Sequence, residues 1–308
     1  MNETARKIEP ATIIDPAAYT SATDAIRIEA KRLLAEGLVT AVIGYKAGRR
    51  SGTALPIIVS DPARAEDLVF TPACVNNLAL YLTKAKKDVA KKGKVAIVAK
   101  GCDMRALAGL MGESQLKRED LFIIGVACAG VHAGNGERSV ARKCRECAVH
   151  TPAGADLVAG SVPVMPELTP VEAQELARLE AMTAGERWAF WKEQFSRCVK
   201  CYACRSICPF CYCEQCLCDR NRPQAVESAP RPAGNMAWHI VRAMHLAGRC
   251  AGCAECERAC PMDIPLNLLN RKMANELKEL YGHEAGLAAK EKGPLAEYRE
   301  DDDQSFIK

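Results

Sequence analysis

The first half of the chain alternates between two hydrophobic patterns. Apolar residues recur every three to four positions over 22–37, which predicts an amphipathic helix. Two more helices are predicted, one that begins with Thr71 and Pro72 and one over 103–111. Because strands and helices alternate, we expect an α/β domain with a mostly parallel sheet. The short apolar runs that predict its strands are at 39–45, 54–60, 94–99 and 121–127, and 155–161 is a candidate fifth strand.

The second half lacks strand patterns and is predicted to be mostly α-helical. Three prolines within residues 161–170 indicate a boundary between two domains. Helical patterns follow at 169–197, 234–248 and 266–282. The predicted organisation is an α/β domain at 20–161, a mostly α-helical domain at 169–284 and a charged tail at 285–308.

The composition excludes several classes of protein. With 308 residues, of which 49% are apolar, the chain is long enough for two cores. Its longest apolar run, residues 121–131, is far shorter than the roughly 20 residues of a membrane-spanning helix. The first residues lack the apolar core of a signal peptide. We therefore expect a cytoplasmic protein with no direct membrane span.

The seventeen cysteines carry the strongest chemical signal. Eight of them form two copies of the run C-x-x-C-x-x-C-x-x-x-C-P, which is the ligand pattern of a 4Fe–4S cluster. Zinc sites use C-x-x-C pairs instead, and disulfide frameworks belong to small secreted domains. In two-cluster ferredoxins the fourth cysteine of each run ligates the other cluster. The predicted ligand sets are Cys198, Cys201, Cys204 with Cys260, and Cys250, Cys253, Cys256 with Cys208.

Cysteines that bind iron make the net charge of the protein lower than the formal value of +4. That figure counts every cysteine as neutral, whereas cysteines that bind iron are thiolates. Two iron–sulfur clusters bring the net charge to about zero, and a third makes it negative. The one dense basic stretch, Lys84 to Lys94, is interpreted as a solvated helix face. We expect no nucleic-acid partner.

A second group of thiols lies between the two runs. The segment CPFCYCEQCLC adds four cysteines within eight residues, and two interpretations stay open. They form an additional metal site, either zinc or iron–sulfur, or they are spare thiols packed beside the first cluster. Exposed free thiols in such number invite oxidation, which favours metal. The residues concerned are Cys211, Cys213, Cys216 and Cys218.

The N-terminal half contains candidates for a third 4Fe–4S cluster. Cys102 follows a predicted strand and opens a helix, whose N-terminus stabilises a thiolate. Together with Cys74 and the C-x-x-C pair Cys144 and Cys147, it makes four thiols from three segments. Cys128 is the alternative ligand, and buried inert thiols are the alternative interpretation.

A flavin site is less clearly marked. No G-x-G-x-x-G run follows a predicted strand. The loop at 44–54 carries Lys46, Arg49 and Arg50 among glycines, and it either holds a phosphate of the cofactor or is a solvated turn.

Three stretches of the first half resemble a known family. KVAIVAKGCDMRALAGLM, REDLFIIGVACAGV and RKCRECAVHTPAGADLVAG are similar to the beta subunit of hydrogenases and dehydrogenases that use the deazaflavin coenzyme factor 420. The resemblance covers residues 20–160. It implies a bound flavin (FAD) and a 4Fe–4S cluster, with Cys102, Cys144 and Cys147 at the family's cysteine positions and Cys74 as the fourth ligand.

Residues 185–282 resemble a second family. The long interval between the two cysteine runs contains a whole predicted helix, as in the α-helical ferredoxin domain of heterodisulfide reductase C subunits and succinate dehydrogenase iron–sulfur subunits. Together the resemblances imply a subunit that relays single electrons within a hetero-oligomeric complex of redox subunits. Its catalytic partner would be of the formate dehydrogenase, hydrogenase or heterodisulfide reductase type. The alternatives are a flavin-containing oxidoreductase subunit that exchanges hydride with a deazaflavin or nicotinamide coenzyme, and a zinc-dominated scaffold.

Overall fold

The computed structural model describes residues 19–83, 93–134, 137–161, 169–287, 293–294, 300 and 305. These residues form two compact units that are interleaved along the chain. Unit 1 takes the described parts of Met1–Asn76, Gly93–Gly101 and Phe122–Glu172, and unit 2 those of Asn77–Lys92, Cys102–Leu121 and Ala173–Lys308. The domain boundaries drawn from the sequence stay predictions, and most of the basic stretch and of the tail lies outside the described residues.

Unit 1 is built around a β-sheet, which confirms the predicted α/β class. The strands are β1 (Ala41–Ala47), β2 (Ala54–Val59), β3 (Val95–Ala99), β4 (Leu121–Val126) and β7 (Leu157–Ala159), with a separate hairpin of β5 (His132–Gly134) and β6 (Glu137–Val140). The sheet order is β2-β1-β3-β4-β7. Strand β1 is parallel to β3, β4 is parallel to β7, and β1 is antiparallel to β2.

How deeply each strand is buried follows from its place in the sheet order. Every residue of the central strand β3 is buried, as expected for a strand covered on both faces. The N-terminal helix α1 (Thr20–Ala35) packs on the sheet through a buried stripe that includes Ile26, Ala30 and Leu33. Strand β2 was expected to be buried, but it lies at the sheet edge. Its Leu55 and Ile58 are therefore exposed, and its Pro56 sits where a missing donor is tolerated.

The helix predicted from Thr71 is wrong. The segment forms turns, and a short 3-10 helix follows only at Leu78–Leu82. The Thr71 amide donates to Cys74 Sγ at 3.3 Å, and the Thr71 hydroxyl accepts from the Ala73 amide at 3.3 Å. These bonds close a tight turn, because Thr side chains compete with helical hydrogen bonds at such positions.

Unit 2 is mostly helical, as predicted. Its longer helices are α2 (Gly101–Gly112), α3 (Val171–Glu180), α4 (Ala184–Ser196), α6 (Pro232–His245) and α8 (Leu266–Tyr281), and its short ones are α5 (Ala203–Ser206) and α7 (Glu255–Arg258). The helix predicted over 169–197 is divided into α3 and α4. Thr183 begins α4 with a capping box, in which its hydroxyl accepts from the Glu186 amide and the Glu186 carboxylate accepts from the Thr183 amide.

Cysteines are part of the core of unit 2. Phe195, Trp238, Ile264 and Leu266 form a buried group, and Cys204, Cys218 and Cys256 belong to it. In the portion of the chain that the structure describes, no helix is long and apolar enough to cross a membrane.

Candidate metal centres

The two cysteine runs of unit 2 have the same backbone conformation. In each loop the residues on either side of the second cysteine have positive φ, at Lys200 (52°) and Tyr202 (58°) in one and at Gly252 (67°) and Ala254 (52°) in the other. Three of these four are not glycine, so the conformation is imposed at a cost. Alternating left-handed residues direct backbone amides toward a common point, as in anion-binding nests. The loops therefore have the form of anion cradles.

The amides in these loops already contact sulfur. The Lys200 amide donates to Cys198 Sγ at 3.4 Å. At the equivalent position the Gly252 amide donates to Cys250, which counteracts part of the increase in the pKa of Cys250 that burial causes. Hydrogen bonds to sulfur are one of the means by which a protein sets the potential of an iron–sulfur cluster.

The structure brings together the first predicted ligand set, which we call set 1. Burial raises the pKa of the Cys204 thiol, and the other three thiols of the set raise it further because each is close enough to interact as an anion. All four line one cavity, whose other walls include the aromatic rings of Trp238 and His239. The members of set 1 are Cys198, Cys201, Cys204 and Cys260. Cys260 thus lies with the loop of the other run.

Set 2 is the complementary group: Cys250, Cys253, Cys256 and Cys208. Burial raises the pKa of Cys256 to about 12, and the neighbouring Cys250 and Cys208 contribute to that increase. Cys253 lies in the same loop as Cys250 and Cys256. The Asn270 side-chain amide donates to Cys256 Sγ at 3.5 Å. Cys208 lies against Cys211, whose thiol hydrogen bond lowers the pKa of Cys208 below its ordinary value.

A buried donor beside set 1 tests whether that set fits an anionic group. His239 is 3% exposed and stacks on Phe195, and neither of its ring nitrogens has a hydrogen-bond partner among the described residues. Burial, assisted by the charges of Arg242 and Lys200, lowers its pKa to about 3, so the ring is neutral and keeps one N–H. A buried donor without an acceptor costs about 1–3 kcal/mol. The sulfur atoms of a 4Fe–4S cluster are acceptors, so the donors and thiols here fit that cofactor.

The four thiols at 211–218 line a second cavity of unit 2, together with Arg205, Arg242 and Arg249. Within it Cys216 and Cys218 contact each other, and burial followed by the effect of Cys216 raises the pKa of Cys218 to about 11. Among the residues that the structure describes, no three His, Cys, Asp or Glu side chains are placed to bind a single metal ion. The additional metal site at Cys211, Cys213, Cys216 and Cys218 stays a prediction.

In unit 1, Cys144 and Cys128 belong to one small apolar group with Val131 and Ala141. Burial raises the pKa of Cys144, the charge of Lys143 opposes that increase, and Cys147 adds to it. The Cys147 amide donates to the Cys144 carbonyl at 3.4 Å, so this C-x-x-C pair forms one turn.

The other two N-terminal candidates, Cys74 and Cys102, belong to different units. Cys74 is a buried residue of unit 1 and accepts from the Thr71 amide. Cys102 opens α2 in unit 2, where its carbonyl accepts from the Asn77 side-chain amide at 3.0 Å. The ligand set of a third cluster, with Cys128 as the alternative, stays a prediction.

The structure places the predicted phosphate loop at the tip of the β1–β2 hairpin. Lys46, Arg49 and Arg50 are all exposed there. That geometry suits a solvated turn, and phosphate binding stays a prediction.

Lys100 is a buried residue that the sequence did not mark as a candidate. It lies directly after β3 and donates to the Asn76 carbonyl at 2.8 Å and to the Tyr45 hydroxyl. Its only signal in the sequence is a charge directly after a buried strand.

The chain is similar to two curated proteins over most of its length. No family model matches the chain. The beta subunit of the F420-dependent formate dehydrogenase of Methanocaldococcus jannaschii is 21% identical, over 83% of this chain and 90% of its own length. The corresponding subunit of formate dehydrogenase 1 of Methanococcus maripaludis is 22% identical, over 83% and 89%. This chain is similar to the beta subunits of F420-dependent formate dehydrogenases. The resemblance inferred from the first half of the sequence is thereby confirmed.

The similarity also reaches beyond the first half, because 83% of the chain is more than residues 20–160 can supply. Among solved structures, a chain of the F420-reducing NiFe hydrogenase complex from Methanosarcina barkeri is 18% identical, with a TM-score of 0.31. That match covers 40% of this chain and 44% of the other.

Proposed function

We propose that this chain is an iron–sulfur subunit that relays single electrons within a multi-subunit oxidoreductase. The observation that supports the proposal is that the four thiols of set 1 line one cavity and that Cys208 lies close to Cys256 and Cys250 of set 2. When bound, two 4Fe–4S clusters supply one-electron redox chemistry.

The protein's own residues prepare these sites. The two loops direct amides toward the thiols, and Trp238, Phe195 and Ile264 belong to the apolar group that contains Cys204 of set 1. Burial raises the pKa of Cys204 and of Cys256 because an uncompensated thiolate is costly there, and a cationic iron core would compensate that charge.

The comparisons support a role inside a complex. Both curated relatives are named as beta subunits of F420-dependent formate dehydrogenases. We infer that this chain works with other redox subunits, and that a catalytic subunit of the formate dehydrogenase type is its electron donor or acceptor. Hydrogenase-type and heterodisulfide reductase-type partners are the alternatives.

A second candidate function concerns unit 1. The relatives depend on F420, which exchanges hydride, so a flavin in this unit would convert hydride to single electrons. Lys100 and Tyr45 supply a buried polar pair at the carboxyl end of β3, the edge where α/β sheets bind ligands. This candidate requires FAD and the third 4Fe–4S cluster in addition to the two of unit 2.

One analysis distinguishes these functions: iron, acid-labile sulfide, zinc and flavin are counted on anaerobically purified chain. The relay alone predicts about eight irons and as many sulfides, because each cluster contains four of each. About twelve irons with one flavin per chain would add the hydride function. Zinc without sulfide would refute both functions and support the zinc scaffold.

A further inference from the structure

Arg242 is a buried charge that has no carboxylate partner in the part of the chain that the structure describes. It lies on α6, one helical turn after His239, and is 5% exposed. Its Nη2 donates to the Cys204 carbonyl at 3.1 Å, whereas its Nε has no hydrogen-bond partner among the described residues. Within the described residues, no Asp or Glu forms an ion pair with it. Because an uncompensated buried charge is strongly destabilising, this position requires negative charge from another source.

The positive charge of Arg242 lies close enough to thiols of both sets to interact with them. Its charge acts on Cys204 of set 1 and on Cys208 and Cys256 of set 2. It also lines the cavity that contains Cys211. Arg242 is thus within electrostatic reach of both predicted clusters, each of which is a net anion when four thiolates bind it.

We propose that Arg242 is a shared positioning residue, whose single positive charge compensates both iron–sulfur clusters and raises the reduction potentials of both. Its free Nε–H is the donor available to cluster sulfur. The inference rests on the proposed function, since it requires the two clusters to be present.

The expected effect follows from the charge that reduction adds. Each reduced cluster gains one electron, so a nearby positive charge favours reduction. Removing that charge from a buried position should lower the equilibrium constant for reduction of each cluster at least about tenfold, which corresponds to about 59 mV for a one-electron couple.

Two neighbouring residues serve as matched controls because the structure places each beside a different set. His239 lines the cavity of set 1. Asn270 donates to Cys256 of set 2. His239→Phe is therefore expected to shift the potential of one cluster, and Asn270→Leu that of the other. These two variants also assign the two steps of the titration to their clusters.

The test is a redox titration of the full-length chain, followed by low-temperature paramagnetic resonance, with iron counted in every sample. Arg242→Gln should lower both potentials while about eight irons remain. If the reduction potential of only one cluster shifts, or if neither shifts, the proposal is overturned. Arg242→Lys retains the charge and should keep both potentials near those of the unmodified chain.

Iron loss is also informative. If Arg242→Gln loses the iron of both clusters and Arg242→Lys retains it, the shared charge is supported. Loss from one set only, or from both sets in the lysine variant, contradicts it. If the unmodified chain lacks about eight irons, the proposed function itself fails, and that outcome is separate from failure at Arg242.

Discussion

Substitution of Cys260 by serine tests how the two cysteine runs share their ligands. Cys260 belongs to the second run but lies with the loop of the first, around the cavity lined by Cys198, Cys201 and Cys204. We predict that Cys260→Ser loses the cluster of set 1 and keeps that of set 2. Iron should fall from about eight to about four per chain.

The same structure sets the expected loss of stability. Roughly 60 residues separate Cys198 from Cys260, and a cross-link across that length removes unfolded-chain entropy worth about 4 kcal/mol. Typical domains are stable by about 5–15 kcal/mol, so the variant should unfold at a much lower denaturant concentration. Anaerobic urea unfolding, followed by the iron chromophore and by circular dichroism, measures this change.

Two double variants make the test decisive. Cys198→Ser with Cys260→Ser removes two ligands of one cluster, so about four irons should remain. Cys250→Ser with Cys260→Ser removes one ligand from each cluster, so little iron should remain. The reverse pattern would show that each run holds its own cluster and would refute the exchange.

Three further predictions concern other parts of the chain. Cys102→Ala should remove iron from an N-terminal cluster and leave the spectrum of the two unit 2 clusters intact; unchanged iron would exclude Cys102 as a ligand. Glu113→Gln weakens a bidentate pair with Arg249 (2.5 and 2.7 Å) and should lower the free energy of unfolding by about 1–3 kcal/mol in urea titrations, whereas no change would show that the pair is dispensable. Gly160→Ala should lower the thermal midpoint of unfolding more than Gly154→Ala. Both glycines have φ near +78°, but only at Gly160 would the new methyl group lie 3.0 Å from a side chain of α1. Equal shifts of the midpoint would contradict this packing.

Much of the fold could be predicted because its signals are local. The buried run of β3 and the amphipathic helix α8, which ends at Gly282 with φ of 64°, were both predicted within a few residues. The errors have local causes too. A Thr-Pro pair usually begins a helix, but the hydrogen bonds of Thr71 with Cys74 and Ala73 favour a turn. The division at Thr183 depends on a capping box that the hydrophobic pattern does not reveal.

The candidate site was predictable only in part. Cysteine spacing identifies the thiols, since sequence and ligand geometry are directly linked in these runs. Arg242 and His239 could not be found in this way. On the sequence they are ordinary polar residues of an amphipathic helix, and their burial becomes visible only when the helix packs against both cysteine loops. The same holds for Lys100, whose burial depends on its contacts with Asn76 and Tyr45.

The central claim is that unit 2 holds two one-electron centres. An anaerobic reductive titration of the purified chain, with the spin signal quantified at low temperature, tests it most directly. We predict that the dicluster region takes up about two electrons per chain, one for each 4Fe–4S cluster, with a paramagnetic signal that grows accordingly. A colourless chain that takes up no electrons and gives no signal after dithionite would contradict the claim.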